Sequence, residues 1–393
     1  MYKRFATTTL VAALSMAVLT GCGSSKVFKA DPRKPTKLVQ IASPVGVLSP
    51  VFSAKLEQAN SVIKKNKASK KDVVDLQVAP TATGLVAASR GGVVTRFDGG
   101  ATVWTANLKE AITSGVAIDD AQSVAIVGTR SGQVTAIDVA TGEIRWQRTL
   151  PSASLTPALV HSGFVLLSAN NNVVYALDLA TGALVWQYTT QSPTVTVRGA
   201  AKPLKLDANL AIIGAADGRV HALEVRSGTP VWVQRVGLAS GVGDVARLRD
   251  VDDTPTLAGN YLYATSYSGQ LVAFDMQSGR DVFTAKLAST KSVAVLDTLL
   301  IGGTVDGEVV AIDRFNGNEV WKSEALKFRG LTNAVTVGNY VAIGDREGVI
   351  HLFNQAGEIV SRVDAKNQLT SLQVHQNRLY AQSANGVVTA WQF

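Results

Sequence analysis

Cysteine is almost absent: Cys22 is the only one in 393 residues. No disulfide can form within the chain, so a folded exported domain must be held by its core alone. Charge is also scarce, since Asp, Glu, Lys and Arg make up 17% of the chain against about 25% in ordinary soluble domains. The 38 Lys and Arg outnumber the 30 Asp and Glu, giving a formal charge of +8. These cations are dispersed apart from the run Lys64 to Lys71, and no stripe of them alternates with base-stacking aromatics. That excludes nucleic-acid binding through a basic face. The longest apolar stretch, Phe5 to Leu19, is too short for a stable membrane span. What is abundant is apolar residues, at 46%, and glycine, at 34 residues; this is globular composition and excludes disorder as the main state.

The first residues, Met1-Tyr2-Lys3-Arg4 followed by Phe5 to Leu19, have the basic and apolar regions of a secretory signal. The run ends in Leu19-Thr20-Gly21-Cys22, which resembles the lipobox of bacterial lipoproteins. The expected organisation is therefore a lipoprotein signal peptide over 1–21 and acylation, palmitate included, at Cys22. An exported protein with a stray thiol is the plainer alternative. Gly23 stands where inner-membrane retention uses Asp, so the resemblance implies an outer-membrane anchor facing the periplasm. Residues 22–37, with Pro32 and Pro35, read as a tether that spans on the order of 50 Å when extended.

One unit then recurs along the chain. Ala136-Ile137-Asp138, Thr141-Gly142 and Trp146 return as Ala176, Asp178, Thr181-Gly182 and Trp186. They return again as Ala222, Glu224, Ser227-Gly228 and Trp232; as Ala273, Asp275, Ser278-Gly279 and Phe283; and as Ala311, Asp313, Asn316-Gly317 and Trp321. Weaker copies flank these. Each unit alternates apolar and polar residues in short runs broken by Asx-Gly, Ser-Gly or Thr-Gly turns, the pattern of hairpin-linked strands. About 40 residues per unit accommodates four strands, which is a propeller blade. The count closes at eight, because Val51 to Leu56 matches Val282 to Leu287 and supplies the outer strand that the last unit lacks. The fold class expected is all-β: an eight-bladed β-propeller over 38–393, its last blade closed by the N-terminal strand.

The recurring residues have structural work. The Asp or Glu caps a turn by accepting backbone N–H bonds, the Gly supplies a positive φ, and the Trp fills space between blades. Regular spacing argues against reading the acidic positions as metal ligands or acid–base catalysts. His161, His221, His351 and His375 lack zinc-like spacing, and no nucleophile elbow or phosphate loop is present.

The repeat is broken in one place. Intervals between equivalent turn residues, Gly92, Gly132, Asn172, Gly218, Gly269, Gly307, Gly348 and Gly386, are 40, 40, 46, 51, 38, 41 and 38. The two long ones are consecutive, and insertions in repeat proteins gather on one face. Gln191 to Asp207 and Leu238 to Pro255 are therefore expected side by side as the candidate site. Apolar side chains with Arg198, Asp250 and Asp252 suit a protein interface; a pairing of Arg198 with Asp250 or Asp252 that merely holds the loops together fits the same residues. Lys64 to Lys71 reads as a solvated loop or as a contact for anionic lipid.

The Ala-x-Asp-x-x-Thr-Gly-x-x-x-Trp unit resembles the tryptophan-docking repeat of pyrroloquinoline-quinone-type propellers. Together with the lipobox, the eight units and the insertions, it makes the chain similar to the BamB family of outer-membrane protein assembly lipoproteins. Local segments share the likeness: Val197-Arg198-Gly199, Arg247-Leu248 with Asp250-Val251-Asp252 and Thr254-Pro255, and Gly344-Asp345 with Glu347-Gly348. The resemblance implies a non-enzymatic, cofactor-free subunit of the Bam complex that docks the periplasmic polypeptide-transport-associated domains of BamA beside other Bam lipoproteins. Unfolded outer-membrane proteins are further partners it would admit. The family's docking residues fall on Val195, Val197, Arg198, Asp250 and Asp252, with the two Val in place of Leu. The rival readings are a quinone-type dehydrogenase, which needs a cysteine pair that this chain lacks, and a periplasmic propeller that binds glycan or peptide in its channel.

Overall fold

The computed structural model describes residues 33–41, 43–57, 76–192, 201–238 and 248–393. The chain divides at Lys34/Pro35 into two units, and the strands all belong to the second. Among its described residues all regular structure is antiparallel strand, in eight four-stranded sheets. They follow one another along the chain: Ala79–Asn107, Ile112–Thr149, Leu159–Thr189, Leu204–Arg235, Thr256–Lys286, Ala294–Ser323, Leu331–Asp364 and Leu369–Gln392. These are blades 1 to 8 of a β-propeller.

Blade 8 borrows its outer strand. Ser49–Lys55 pairs antiparallel with Val387–Gln392, Ala54 opposite Val388 and Phe52 opposite Ala390, so the ring closes on its own N-terminal segment as the Val51 to Leu56 match requires. Closure covers the outer edge of Val387–Gln392, which would otherwise stand unpaired.

The core is distributed over the junctions between blades. Middle strands such as Val124–Thr129 and Leu299–Gly303 are buried at every residue, because a neighbouring blade covers each face. Outer strands such as Ile144–Thr149 are mostly exposed. Separate apolar clusters fill the junctions, one example joining Ile126 and Ala136 of blade 2 to Val165 and Tyr175 of blade 3.

The repeat residues serve those junctions. Ala136 faces Trp146 across the strand pair, just before a bulge, as Ala176 faces Trp186, Ala222 faces Trp232, Ala273 faces Phe283 and Ala311 faces Trp321. Each of three indoles then reaches into the next blade. Trp146 donates Nε1–H to the Leu179 carbonyl at 2.8 Å, Trp186 to Val225 at 2.9 Å and Trp321 to Gln355 at 2.8 Å. Their rings lie over Gly182, Gly228 and Gly357, where an added Cβ would come within 2.5 to 2.7 Å of a ring carbon. Phe52 of the closing strand packs against Gly100 of blade 1, its Cβ at 2.8 Å and its ring at 3.0 Å from an added Cβ. Trp232 is the exception: nothing lies within 4 Å of a Cβ placed on Gly279, and Trp232 packs instead in the apolar cluster that holds Met276.

The acidic caps also behave as expected, with one departure. Asp138 accepts the backbone N–H of Ala140 and Thr141 at 2.8 and 2.9 Å, and Asp178, Asp275 and Asp313 cap their turns alike. A hydrogen bond from Arg145 and those amides hold the Asp138 carboxyl at about 2. Glu224 differs. Its longer side chain reaches past the amides and accepts the Ser227 hydroxyl.

Gly182 carries two constraints at once, a φ of +71° and the Trp146 ring at 2.6 Å from an added Cβ. Gly182→Ala is therefore expected to cost about 2–5 kcal/mol, about 1–2 from left-handed strain and about 1–3 from overpacking. Gly163→Ala isolates the first term, because its φ is +82° and nothing lies within 4 Å. Denaturant unfolding of both variants checks this. Equal losses would mean that the indole yields freely.

Candidate functional site

Both long connections run from the outer strand of one blade to the inner strand of the next. Blade turns with positive φ, Asn172 and Gly218, lie against these connections: Thr190 donates its N–H to the Asn172 carbonyl, and Arg249 packs on Gly218. The roots of the two insertions thus share one face, opposite the Thr-Gly turns. Their central parts, with Val195, Val197 and Arg198, lie outside the described residues, as do Cys22 and Lys64 to Lys71. Their roots are described, and they meet. Val251 is buried, donates its N–H to the Ala215 carbonyl at 3.1 Å, and sits with Ala201 over Gly214, where a Cβ would come within 2.7 Å of Val251.

The carboxylates beside Val251 have distinct environments. Asp250 exposes no surface, and its carbonyl accepts the Tyr267 N–H at 3.1 Å. Asp252 is half-buried. Burial, then the charges of Asp250 and Asp253, push its carboxyl well above the usual carboxylate range, against the pull of Lys291. Asp253 accepts the Thr254 N–H at 2.7 Å and the Ser292 N–H at 2.8 Å, tying blade 5 to blade 6. Of the two acids expected to contact a partner, Asp252 presents surface and Asp250 shapes the loop from inside. Sequence spacing finds the loops but not this division, which depends on which way each side chain turns.

A second constellation on blade 7 has no periodic signal. Asp345, wholly buried, receives the Glu347 and Val349 N–H groups on Oδ1, both at 2.9 Å, and on Oδ2 Arg329 Nε at 2.6 Å and His351 Nε2 at 2.9 Å. Arg362 Nε donates to His351 Nδ1 at 3.3 Å. Because a guanidinium can only donate, His351 is the neutral tautomer with its proton on Nε2. The same two arginines hold the segment before the closing strand: Arg329 donates to the Thr36 carbonyl at 3.0 Å, and Arg362 to the Val39 carbonyl. Thr36, within the stretch read as tether, also donates its N–H to Lys327 at 3.0 Å. His161 and His221 are held by structural contacts as well. His161 Nε2 bonds the Asp207 carbonyl at 2.7 Å, and His221 lies between Asp217 and Tyr188. Among the described residues no cluster suits a metal ion.

This network makes stability depend on acid. Burial lowers the His351 pKa, more than Asp345 restores it, so below the unfolded value of about 6.5 the unfolded chain binds a proton that the folded one refuses. Burial raises Asp345, but hydrogen bonds from His351, Val349 and Arg329 outweigh it and hold the carboxyl below its ordinary value. Its stabilisation is present above the ordinary carboxylate pKa of about 4 and is lost as pH falls through the lower folded value. Both contributions weaken on acidification. Asp252, with its raised folded value, works in the opposite direction over the same range, so the check is a difference: between about pH 6.5 and 5 the Tm of His351→Gln is expected to rise relative to that of wild type as pH falls. Parallel profiles would show that His351 does not carry the dependence.

Fold and site together define an eight-bladed propeller built of pyrroloquinoline-quinone-type repeats, with its irregular surface concentrated in two adjacent connections. The family model described as outer membrane protein assembly factor BamB matches residues 90–323 and 305–392. The chain belongs to that family. The crystal structure of BamB from Moraxella catarrhalis superposes with a TM-score of 0.83 at 50% identity, covering 88% of this chain and all of that one. The BamB proteins of Bordetella pertussis and Yersinia pestis are 31% and 28% identical over 73% and 80% of this chain, which is 75% and 84% of theirs.

Proposed function

We propose that the protein acts as an outer-membrane protein assembly factor, a scaffold without catalytic activity of its own. Membership of the BamB family supports this reading. The observation that carries the docking face is the meeting of the two insertion roots through Val251 and Ala201. In this reading Cys22, acylated after removal of 1–21, anchors the chain to the outer membrane, and residues before Thr36 let the propeller hang in the periplasm. Val195, Val197, Arg198 and Asp252 contact the periplasmic polypeptide-transport-associated domains of BamA, and Asp250 acts by holding the second loop in shape. Other Bam lipoproteins join the same complex. The outer strands, with exposed Val103, Ile144, Val185, Val231 and Val320, offer edges that an unfolded outer-membrane protein pairs with by strand addition.

Co-purification from detergent-solubilised membranes tests the docking face. Wild type should recover the barrel subunit, and Arg198→Ala or Asp252→Ala, each confirmed folded by circular dichroism, should lower recovery about tenfold, about 1.4 kcal/mol. Wild type that recovers no barrel subunit overturns the functional reading. Variants that recover as much as wild type overturn the placement of the interface.

A further inference from the structure

Outer strands such as Ile144–Thr149 are mostly exposed, but Ile359–Asp364 of blade 7 is buried or half-buried at every residue except Asp364. The segment before the closing strand lies along it. Thr36 is pinned at one end: its N–H and its hydroxyl both donate to the Lys327 carbonyl at 3.0 Å, and its own carbonyl accepts from Arg329. Val45 is pinned at the other, donating its N–H to the Val360 carbonyl at 2.8 Å, and Val47 and Leu48 pack in the apolar cluster between blades 7 and 8. Between these pins, among the described residues, one hydrogen bond ties the segment to the ring, from Arg362 to the Val39 carbonyl.

That bond is aimed by a histidine. His351 Nδ1 accepts the Arg362 Nε–H at 3.3 Å, while its Nε2–H is held by Asp345 at 2.9 Å. The charges that act on His351 are Asp345 from strand Tyr340–Asp345, Arg329 from the connection into blade 7, and Arg362 from the outer strand. One carboxylate thus already faces two guanidinium groups. A proton added to His351 enters at Nδ1, which turns that atom from acceptor to donor and sets it against the Arg362 N–H. Arg329 is fixed, being buried and ion-paired with Asp345 at 2.6 Å. Arg362 is half-buried, and among the described residues it bonds only His351 and Val39. It is therefore the group that yields, and because one guanidinium makes both bonds, turning away from His351 also frees Val39.

We propose that His351 is the proton sensor of a latch: on acidification Arg362 swings out, the stretch around Val39 lifts while Thr36 and Val45 stay held, and the outer edge of blade 7 is bared. A bared edge is a surface that another strand can pair with. Closed and open states differ in their affinity for one proton, so the ratio of open to closed rises by at most about tenfold per pH unit. Burial lowers the His351 pKa in the closed state, so opening begins below the ordinary histidine value of about 6.5.

A nitroxide attached at Val39→Cys, in the full-length chain carrying Cys22→Ser, tests this by electron paramagnetic resonance between about pH 7.5 and 5. Val39 is 67% exposed and the latch holds its carbonyl, so the label leaves the bond in place. At neutral pH the label should be immobile, and the ratio of mobile to immobile signal should climb as pH falls, by up to about tenfold per unit. Adding Arg362→Ala should make the label mobile throughout the range. Adding His351→Gln, whose amide oxygen accepts from Arg362 and gains no proton, should keep it immobile throughout. A label at Val320→Cys, exposed on the outer strand of blade 6, should not respond, which separates the latch from general loosening of the blades. A Val39 label that stays immobile on acidification, that loosens equally with His351→Gln, or that stays immobile at neutral pH with Arg362→Ala overturns the proposal.

Discussion

Asp345→Ala is expected to destabilise the protein by about 3–5 kcal/mol, the usual result of removing one partner from a buried charge network. The carboxylate serves Arg329, His351 and two backbone amides, and Arg329 and His351, themselves buried, have little access to water once it is gone. Two readouts separate this from simple loss of packing. Denaturant unfolding should show the lower midpoint. Hydrogen exchange at the Thr36 amide, bonded to Lys327 beside Arg329, should accelerate, because Arg329 then competes for other acceptors and no longer steadies the segment. A loss below about 1 kcal/mol, the worth of one ordinary hydrogen bond, would mean that water or a shifted side chain replaces the carboxylate.

Opening the ring should cost at least as much. Leu56 is 2% exposed and Phe52 packs on Gly100, and both join the cluster that includes Leu85, Phe97, Tyr380 and Val388 at the junction of blades 8 and 1. Phe52→Ala combined with Leu56→Ala is expected to remove about 4–7 kcal/mol, somewhat less than the sum for two fully buried side chains because Phe52 is half-buried. The effect should not stop at stability. A detached Ser49–Lys55 strand bares the edge of Val387–Gln392, and an unpaired edge recruits other chains. Light scattering after size-exclusion chromatography should therefore show oligomers in the variant and a monodisperse wild type. The same pair of substitutions at Val231 and Val320, exposed on outer strands, should change midpoint and size little.

The architecture was legible because its signals are local and repeated. Alternation and turn glycines specify a hairpin within a few residues, and a recurring Trp beside a recurring Ala reports the same junction each time. Even the closure could be read, since Phe52 does for blade 8 what Phe283 does for blade 5. The insertions showed as a change of interval. Glu224 and Trp232 went unseen as departures, because one methylene or a neighbouring insertion changes what a side chain reaches without changing the pattern.

By itself the sequence determined the class of fold, the number of blades, the strand that seals the ring and the loops that interrupt it, all of which depend on spacing along the chain. Only the tertiary structure decided that Asp250 faces inward while Asp252 keeps surface, and that Thr36 and Val39 are held by Arg329 and Arg362 some three hundred residues away. Those outcomes depend on which groups a closed ring brings together and which it removes from water, and neither leaves a period in the sequence.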